Sequence, residues 1–214
     1  MTLAIRLAPC LLLLGWLIGA GPAVRAAETA TSPEAAAKFV QDLGSRAVAL
    51  FASYTPAEAE KNKEEFRQIF REGFDFDLIG RFVLGAPWRN ASPEQKAEYQ
   101  KLFETWVLDT YTRRIGAYKG EKFKITGDQP IADTDAIVET EIDRPDAPPL
   151  KAGWRVRNIQ GRMKIVDVVV EGISMALTQR QEFASVVQRE GLDGLIKELR
   201  AKVDSLKSDE PSGN

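Results

Sequence analysis

The chain has 214 residues, with 29 Lys and Arg against 31 Asp and Glu, one Cys, no His and a formal net charge of −2. Without His there is no Ser-His-Asp triad and no ordinary proton shuttle near pH 7, and Zn sites built from Cys and His are excluded. The mildly acidic balance, with no long basic block, argues against nucleic acid as a partner.

Residues 1–26 have the three regions of a secretory signal peptide. Arg6 precedes an apolar run from Leu7 to Ala20, a Gly21-Pro22 breaker follows, and small or apolar Val24 and Ala26 sit at the third and first positions before the cut. The apolar run is too short to cross a hydrocarbon core of roughly 30 Å. Pro9 stands before Cys10 where lipidation needs a small residue. Cleavage after Ala26 removes Arg6, Cys10 and Arg25 and no acid, leaving an exported chain of net charge −4 with neither Cys nor His. Residues 27–206 then read as a single domain, large enough for its own core, and residues 207–214 as a disordered polar tail.

Ser32-Pro33-Glu34 opens a helix in which Phe39, Val40, Leu43, Ala47, Leu50, Phe51 and Tyr54 recur at helical spacing. Thr55-Pro56-Ala57-Glu58 has the pattern of a capping box for a second helix, which carries Phe66, Ile69 and Phe70 and ends at Gly73. Asp75 can cap a short helix whose Leu78, Ile79, Phe82 and Val83 share an apolar face, with Gly85 closing it. Asp75 and Asp77 are better read as a cap than as metal ligands, and no metal site or cofactor is expected.

Ser92-Pro93-Glu94-Gln95 is a second capping box and opens the longest helix, expected to reach about Tyr118. Its stripe of Tyr99, Leu102, Phe103, Trp106, Val107, Tyr111, Ile115 and Tyr118 is unusually aromatic. After Gly120 the period becomes alternating. Strands are expected at Lys122 to Ile125, at Ala136 to Ile142, over residues 150–159 and from Met163 to Val170, with a loop at Pro145, Pro148 and Pro149 and a turn at Asn158 to Gly161. The last strand is apolar on both faces apart from Asp167 and is expected to be central. Two helices follow, one over Thr178 to Glu190 and one from about Asp193. This order predicts an α+β fold: an antiparallel sheet of about four strands packed against N-terminal and C-terminal helices.

FDFDLIGRFVLGAPWRNASPEQKAEYQKLFETWVLDTYTRRIGAY, then four strands, then VDVVVEGISMALTQRQEFASVVQREGLDGLIKEL, resembles the MlaC (toluene-tolerance) family over roughly residues 33–204. Met163, where the family usually has Trp, and Thr178-Gln179-Arg180, where it commonly has an Asn-Tyr-Arg-like stretch, depart from its pattern. The resemblance implies a periplasmic phospholipid carrier whose twisted antiparallel sheet and helices enclose an apolar pocket. It also implies two partners, an outer-membrane lipoprotein complex and an inner-membrane ABC transporter complex, between which lipid is shuttled to maintain outer-membrane asymmetry. The chain is similar, too, to the hopanoid-associated subgroup of the family, which leaves a polycyclic lipid open as cargo. Nothing in the sequence suggests more than a monomer.

Carriage of lipid needs apolar walls and no catalytic group. Candidate walls are the inward sheet face (Phe123, Ile125, Val138, Ile142, Trp154 and Val156), the aromatic helix (Phe103, Val107 and Tyr111) and a third side of Leu78, Phe82 and Val83. Each of these is equally readable as plain core. Arg81, Arg89, Arg113 and Arg114 are candidates for a phosphate or a docking partner. Two rival readings remain: an enzyme using Asp167 or Glu171 as acid or base, and an adaptor that carries no cargo.

Overall fold

The computed structural model describes residues 30–113, 118–131 and 134–208. The signal peptide, Cys10, Arg114, Ile115 and the tail beyond Ser208 lie outside the described residues.

Helix α1 (Pro33–Ala52) starts where Ser32 Oγ accepts the Ala35 N–H. The Thr55 box behaves differently from its pattern. Thr55 makes no side-chain cap, and Pro56–Glu58 form a single 3₁₀ turn before α2 (Ala59–Gly73). Helix α3 (Phe76–Leu84) is capped by Asp75, whose Oδ1 accepts Leu78 N–H at 2.8 Å, and it ends at Gly85 with φ +69°. After the one-turn α4 (Pro87–Asn90), Ser92 and Gln95 form both arms of the capping box of α5 (Pro93–Thr112). Helix α5 ends at Thr112, short of the expected Tyr118.

The sheet is an antiparallel meander in the order β1 (Lys122–Pro130), β2 (Asp135–Arg144), β3 (Ala147–Ile159), β4 (Arg162–Val170) and β5 (Ile173–Ser174). The two-residue β5 is too short for periodicity to register. The β2–β3 turn is confined to Pro145-Asp146, so Pro148 and Pro149 fall inside β3 rather than in a loop. They are accommodated where the register shifts and where Pro148 O accepts the Arg144 guanidinium. Gln160 (φ +53°) and Gly161 (φ +81°) make the two-residue β3–β4 hairpin, whose two left-handed residues suit the strand twist.

Strand β4 is not the centre of the sheet; β3 is. Its unbroken apolar run has another cause. Arg155 pairs with Asp167 and Val156 with Ile165, so Val166 is an extra, bulged residue and alternation lapses there. Beyond β4, Phe74 bridges Ile165 and Asp75 N–H donates to Ile165 O at 3.0 Å, so the α2–α3 connection covers part of this edge. Lys164 Nζ donates to the last α2 carbonyls, Arg71 O and Glu72 O, tying that helix end to the sheet.

Asp167 is consumed structurally. Its carboxylate accepts from Val168 N–H, Ser174 Oγ–H and Ala176 N–H, and so anchors the start of α6 (Met175–Ser208). Glu171 Oε1 accepts the Lys151 N–H. Helix α6 is broken at Gly191 (φ +72°), which gives the two expected helical segments.

Three apolar clusters hold these elements. One joins α3, α5 and both halves of α6 through Val83, Leu84, Tyr99, Phe103, Leu108, Phe183, Leu195 and Leu199. A second seats Ala36 and Val40 of α1 on Ala136, Val138, Val156 and Ile165 of the sheet. The third packs Leu50 against Phe66 and Ile69.

Candidate functional site

Register assigns the inner face of the sheet. Phe123 stands opposite Ile142 and Ile142 opposite Leu150; in the next row Thr140 stands opposite Ala152, Ala152 opposite Val170 and Val170 opposite Ile173. The other face carries Lys124 opposite Glu141 and Glu141 opposite Lys151, a cross-strand ladder of opposite charges that needs no cover. Helix α1 crosses β1, β2 and β3, whereas α2, α3 and α6 meet the sheet at β4. The inner face is therefore split into a packed end and an open end.

At the packed end, Val138 and Val156 have no exposure and belong to the α1–sheet core. At the open end, Ile142, Leu150 and Val170 stay half-buried and Ile173 is 57% exposed, and the three clusters are built without them. The floor thus retains apolar side chains that folding does not use.

The walls come from helices. On α3, Val83 is buried against α6, while Leu78 and Phe82, one turn apart on the flank, remain outside the core; Phe82 is 44% exposed. Leu177 at the start of α6 is 48% exposed, and one turn on, Arg180 lays its guanidinium 5.0 Å from the Phe82 ring centre. Gly85 admits that guanidinium: a Cβ there would lie 3.2–3.3 Å from it. This lip runs from Ile173 through Leu177 and Arg180 to Phe82. On the other side Phe70 contacts half-exposed Tyr111 at 5.7 Å and stacks on Phe74 at 4.8 Å, which meets Trp154 edge-on at 6.4 Å. Trp154 in turn meets Phe123 at 6.4 Å and donates its indole N–H to Thr140 Oγ1. An aromatic chain therefore links helix wall to sheet floor.

The twelve wall residues read from the sequence divide into three groups. Leu78, Phe82, Tyr111 and Ile142 are half-buried or exposed and belong to none of the three clusters. Phe123, Ile125, Trp154 and Val107 are partly buried and pack on a core cluster. Val83, Phe103, Val138 and Val156 are buried in two separate clusters, so in this conformation they are core. Helix α5 packs on α6, α3 and α2, and Tyr111 near its end meets Phe70. Sequence reading missed Leu150, Val170, Ile173 and Leu177. Leu150 shares the phase of Ala152, Trp154 and Val156 and was findable by alternation; Ile173 and Leu177 sit in a turn and a helix start, where no period exists.

Arg180 stands at the lip; Arg81 Nε donates to Asp77 O on its own helix. Among the described residues there is no group of three or more acidic, His or Cys side chains placed to hold a metal, and no helix long and apolar enough to cross a membrane.

Comparison with known proteins gives a family from the family model and a fold from a solved structure. Residues 47–201 match the family model of the MlaC protein. The intermembrane phospholipid transport system binding protein MlaC of Haemophilus influenzae is 25% identical over 130 residues, 59% of this chain and 61% of that protein. The toluene tolerance protein ttg2D of Pseudomonas putida is 28% identical over 150 residues, 64% of this chain and 69% of that one. The matched region thus spans about three fifths of the first relative's length. A phospholipid-binding protein from Ralstonia solanacearum, solved in complex with a phospholipid, superposes with a TM-score of 0.70 at 22% identity, over 80% of this chain and 98% of its own. At that identity the likeness speaks for the fold.

Proposed function

The chain belongs to the MlaC family, and from that membership and the open apolar strip we propose that it is an exported phospholipid carrier of the periplasm. The observation that supports the reading is the set of inner-face and lip side chains that no core cluster uses: Ile142, Leu150, Val170, Ile173, Leu177, Phe82 and Leu78. Apolar side chains left outside the core in this number mark a site of interaction. The names of the relatives supply the chemistry of its partner, a phospholipid.

The energetics suit the task. A diacyl lipid carries about thirty CH₂ groups at roughly 0.8 kcal/mol each, a sum of some tens of kcal/mol that opposes crossing water unaccompanied. The strip replaces membrane for the acyl chains, and Arg180 at the lip meets the phosphate. Asp167 accepts from Val168 N–H, Ala176 N–H and the Ser174 hydroxyl, and Glu171 from Lys151 N–H, which supports a structural part for both carboxylates. Shuttling between an outer-membrane lipoprotein complex and an inner-membrane ABC transporter, with export directed by residues 1–26, completes the proposal.

Native mass spectrometry of the purified chain tests it. One bound phospholipid per protein is the expected result, and Ile142→Asp with Val170→Asp should abolish it while far-UV circular dichroism is unchanged. A chain that stays lipid-free after incubation with phospholipid vesicles would sink the proposal. Recovery of a polycyclic lipid in its place would reassign the cargo and keep the carrier.

A further inference from the structure

A second surface lies between α2, α5 and the last turns of α6, and none of the twelve wall residues lines it. Two adjoining depressions, of about 300 and about 400 Å³, share Arg113 and Leu206 and so form one groove. Its floor is apolar, with half-buried Trp106 and Leu206. Its rim carries Arg67, Arg113, Lys202 and Lys207 against one acid, Asp109, on a chain whose net charge is −2. Lys202 Nζ sits 5.6 Å from the centre of the Trp106 ring. Thr105 and Thr112 add hydroxyls to the same wall.

Part of this charge has an internal role. Arg67 bonds Asp109 at 3.0 Å and approaches Glu64 at 3.7 Å. Arg113 and Lys207 stand at helix C-termini, where cations complement the dipole. Neither role, nor the contact of Lys202 with the Trp106 ring, accounts for the apolar floor between the cations. An apolar floor with a basic rim, laid between two helices, is complementary to a helix with one apolar and one acidic face. We propose that this groove docks an acidic amphipathic segment of a partner protein. None of its lining residues is shared with the strip, and it does not depend on what the strip carries.

The test uses residues 27–214 and a labelled fifteen-residue helical peptide with Leu on one face and Glu on the other, read by fluorescence anisotropy. Saturable binding is expected. Lys202→Glu with Arg113→Glu should weaken it at least tenfold, and 0.5 M NaCl should weaken it too, with melting temperature and bound-lipid content unchanged. Equal binding of a matched Leu/Lys peptide, no binding of the Glu peptide, or indifference to charge reversal overturns the proposal. Binding to phosphatidylglycerol vesicles that the charge reversal removes, without peptide binding, would make the groove a membrane contact and overturn it. Peptide binding seen only after deletion of residues 209–214 would make that acidic tail the groove's occupant and would overturn it as well.

Discussion

Replacing Asp135 by Asn tests how the packed end of the sheet is held. Its carboxylate is 1% exposed and accepts Arg155 Nε at 2.5 Å, Arg157 Nε at 2.6 Å and a second Arg157 nitrogen at 3.0 Å, with Thr134 Oγ1 donating at 3.0 Å. Burial by itself raises such a carboxyl, but the hydrogen bonds from Arg157 and Arg155 outweigh it and hold the group below its ordinary value. Asparagine keeps the shape and removes the charge that the Arg155 and Arg157 guanidiniums face. Breaking a buried pair costs about 3–5 kcal/mol. The Arg155 and Arg157 side chains are 39% and 24% exposed, so water screens their charges once the carboxylate is gone. The expected loss is therefore about 2–3 kcal/mol, or a fall of roughly 5–10 °C in melting temperature for a domain of this size.

The pH dependence has a definite sign. A carboxyl whose folded value is depressed contributes its full stabilisation above the unfolded value, near 3.8, and loses it as pH falls through the folded value. Urea midpoints of the two proteins should differ by a constant amount from pH 7 to pH 5, and the gap should close below pH 4. Asp135 pairs with Arg157 at one end of β2 and Ile142 with Leu150 at the other, so lipid content should not change. A stability loss below about 0.5 kcal/mol, or a gap that persists undiminished to pH 2, would refute the assignment of Asp135 as the clamp.

Three further outcomes are expected. Tyr99→Phe removes the bond from the phenol to Gly80 O at 2.9 Å and should cost about 1 kcal/mol in urea unfolding. Burial also pushes the Tyr99 phenol up, so its neutral form stabilises the fold below the ordinary value near 10.0 and that contribution is lost as pH rises above it; the wild type should lose stability relative to Tyr99→Phe only above pH 10. Gly44→Ala would place a Cβ 2.8 Å from the Phe123 ring, forcing α1 off β1; calorimetry should show a loss of about 1–3 kcal/mol despite the better helix propensity of Ala. Ser92→Ala removes one arm of the α5 capping box and should lower stability by about 1 kcal/mol with no effect on bound lipid.

Local patterns were legible wherever one residue's geometry decides them. Ser92 and Gln95 form the box their spacing announces, Asp75 caps α3, and Gly191 breaks α6 between its two periodic halves. Alternation placed Ala152, Trp154 and Val156 on the inner face because a strand's period of two has no other reading. Thr55 shows the limit. The same spacing that makes a box at Ser92 yields only a 3₁₀ turn after Thr55, because a cap needs the chain to enter at an angle that neighbouring packing sets.

Which apolar residues the core would bury was only partly legible. Residue type and period identify side chains that avoid water, but they cannot say whether a helix or a ligand covers them. Val138 and Ile142 share one strand and one face, yet α1 closes over Val138 and leaves Ile142 half-open. Phe82 and Val83 are neighbours in sequence, and α6 buries one while the other stands at the lip. The sequence by itself determined the order of elements, their caps and the two-faced sheet, since these follow from contacts within a few residues. Only the tertiary structure decided which apolar residues remain unspent, because that is set by where α1, α3 and α6 cross the sheet, and those crossings rest on contacts between residues distant in the chain.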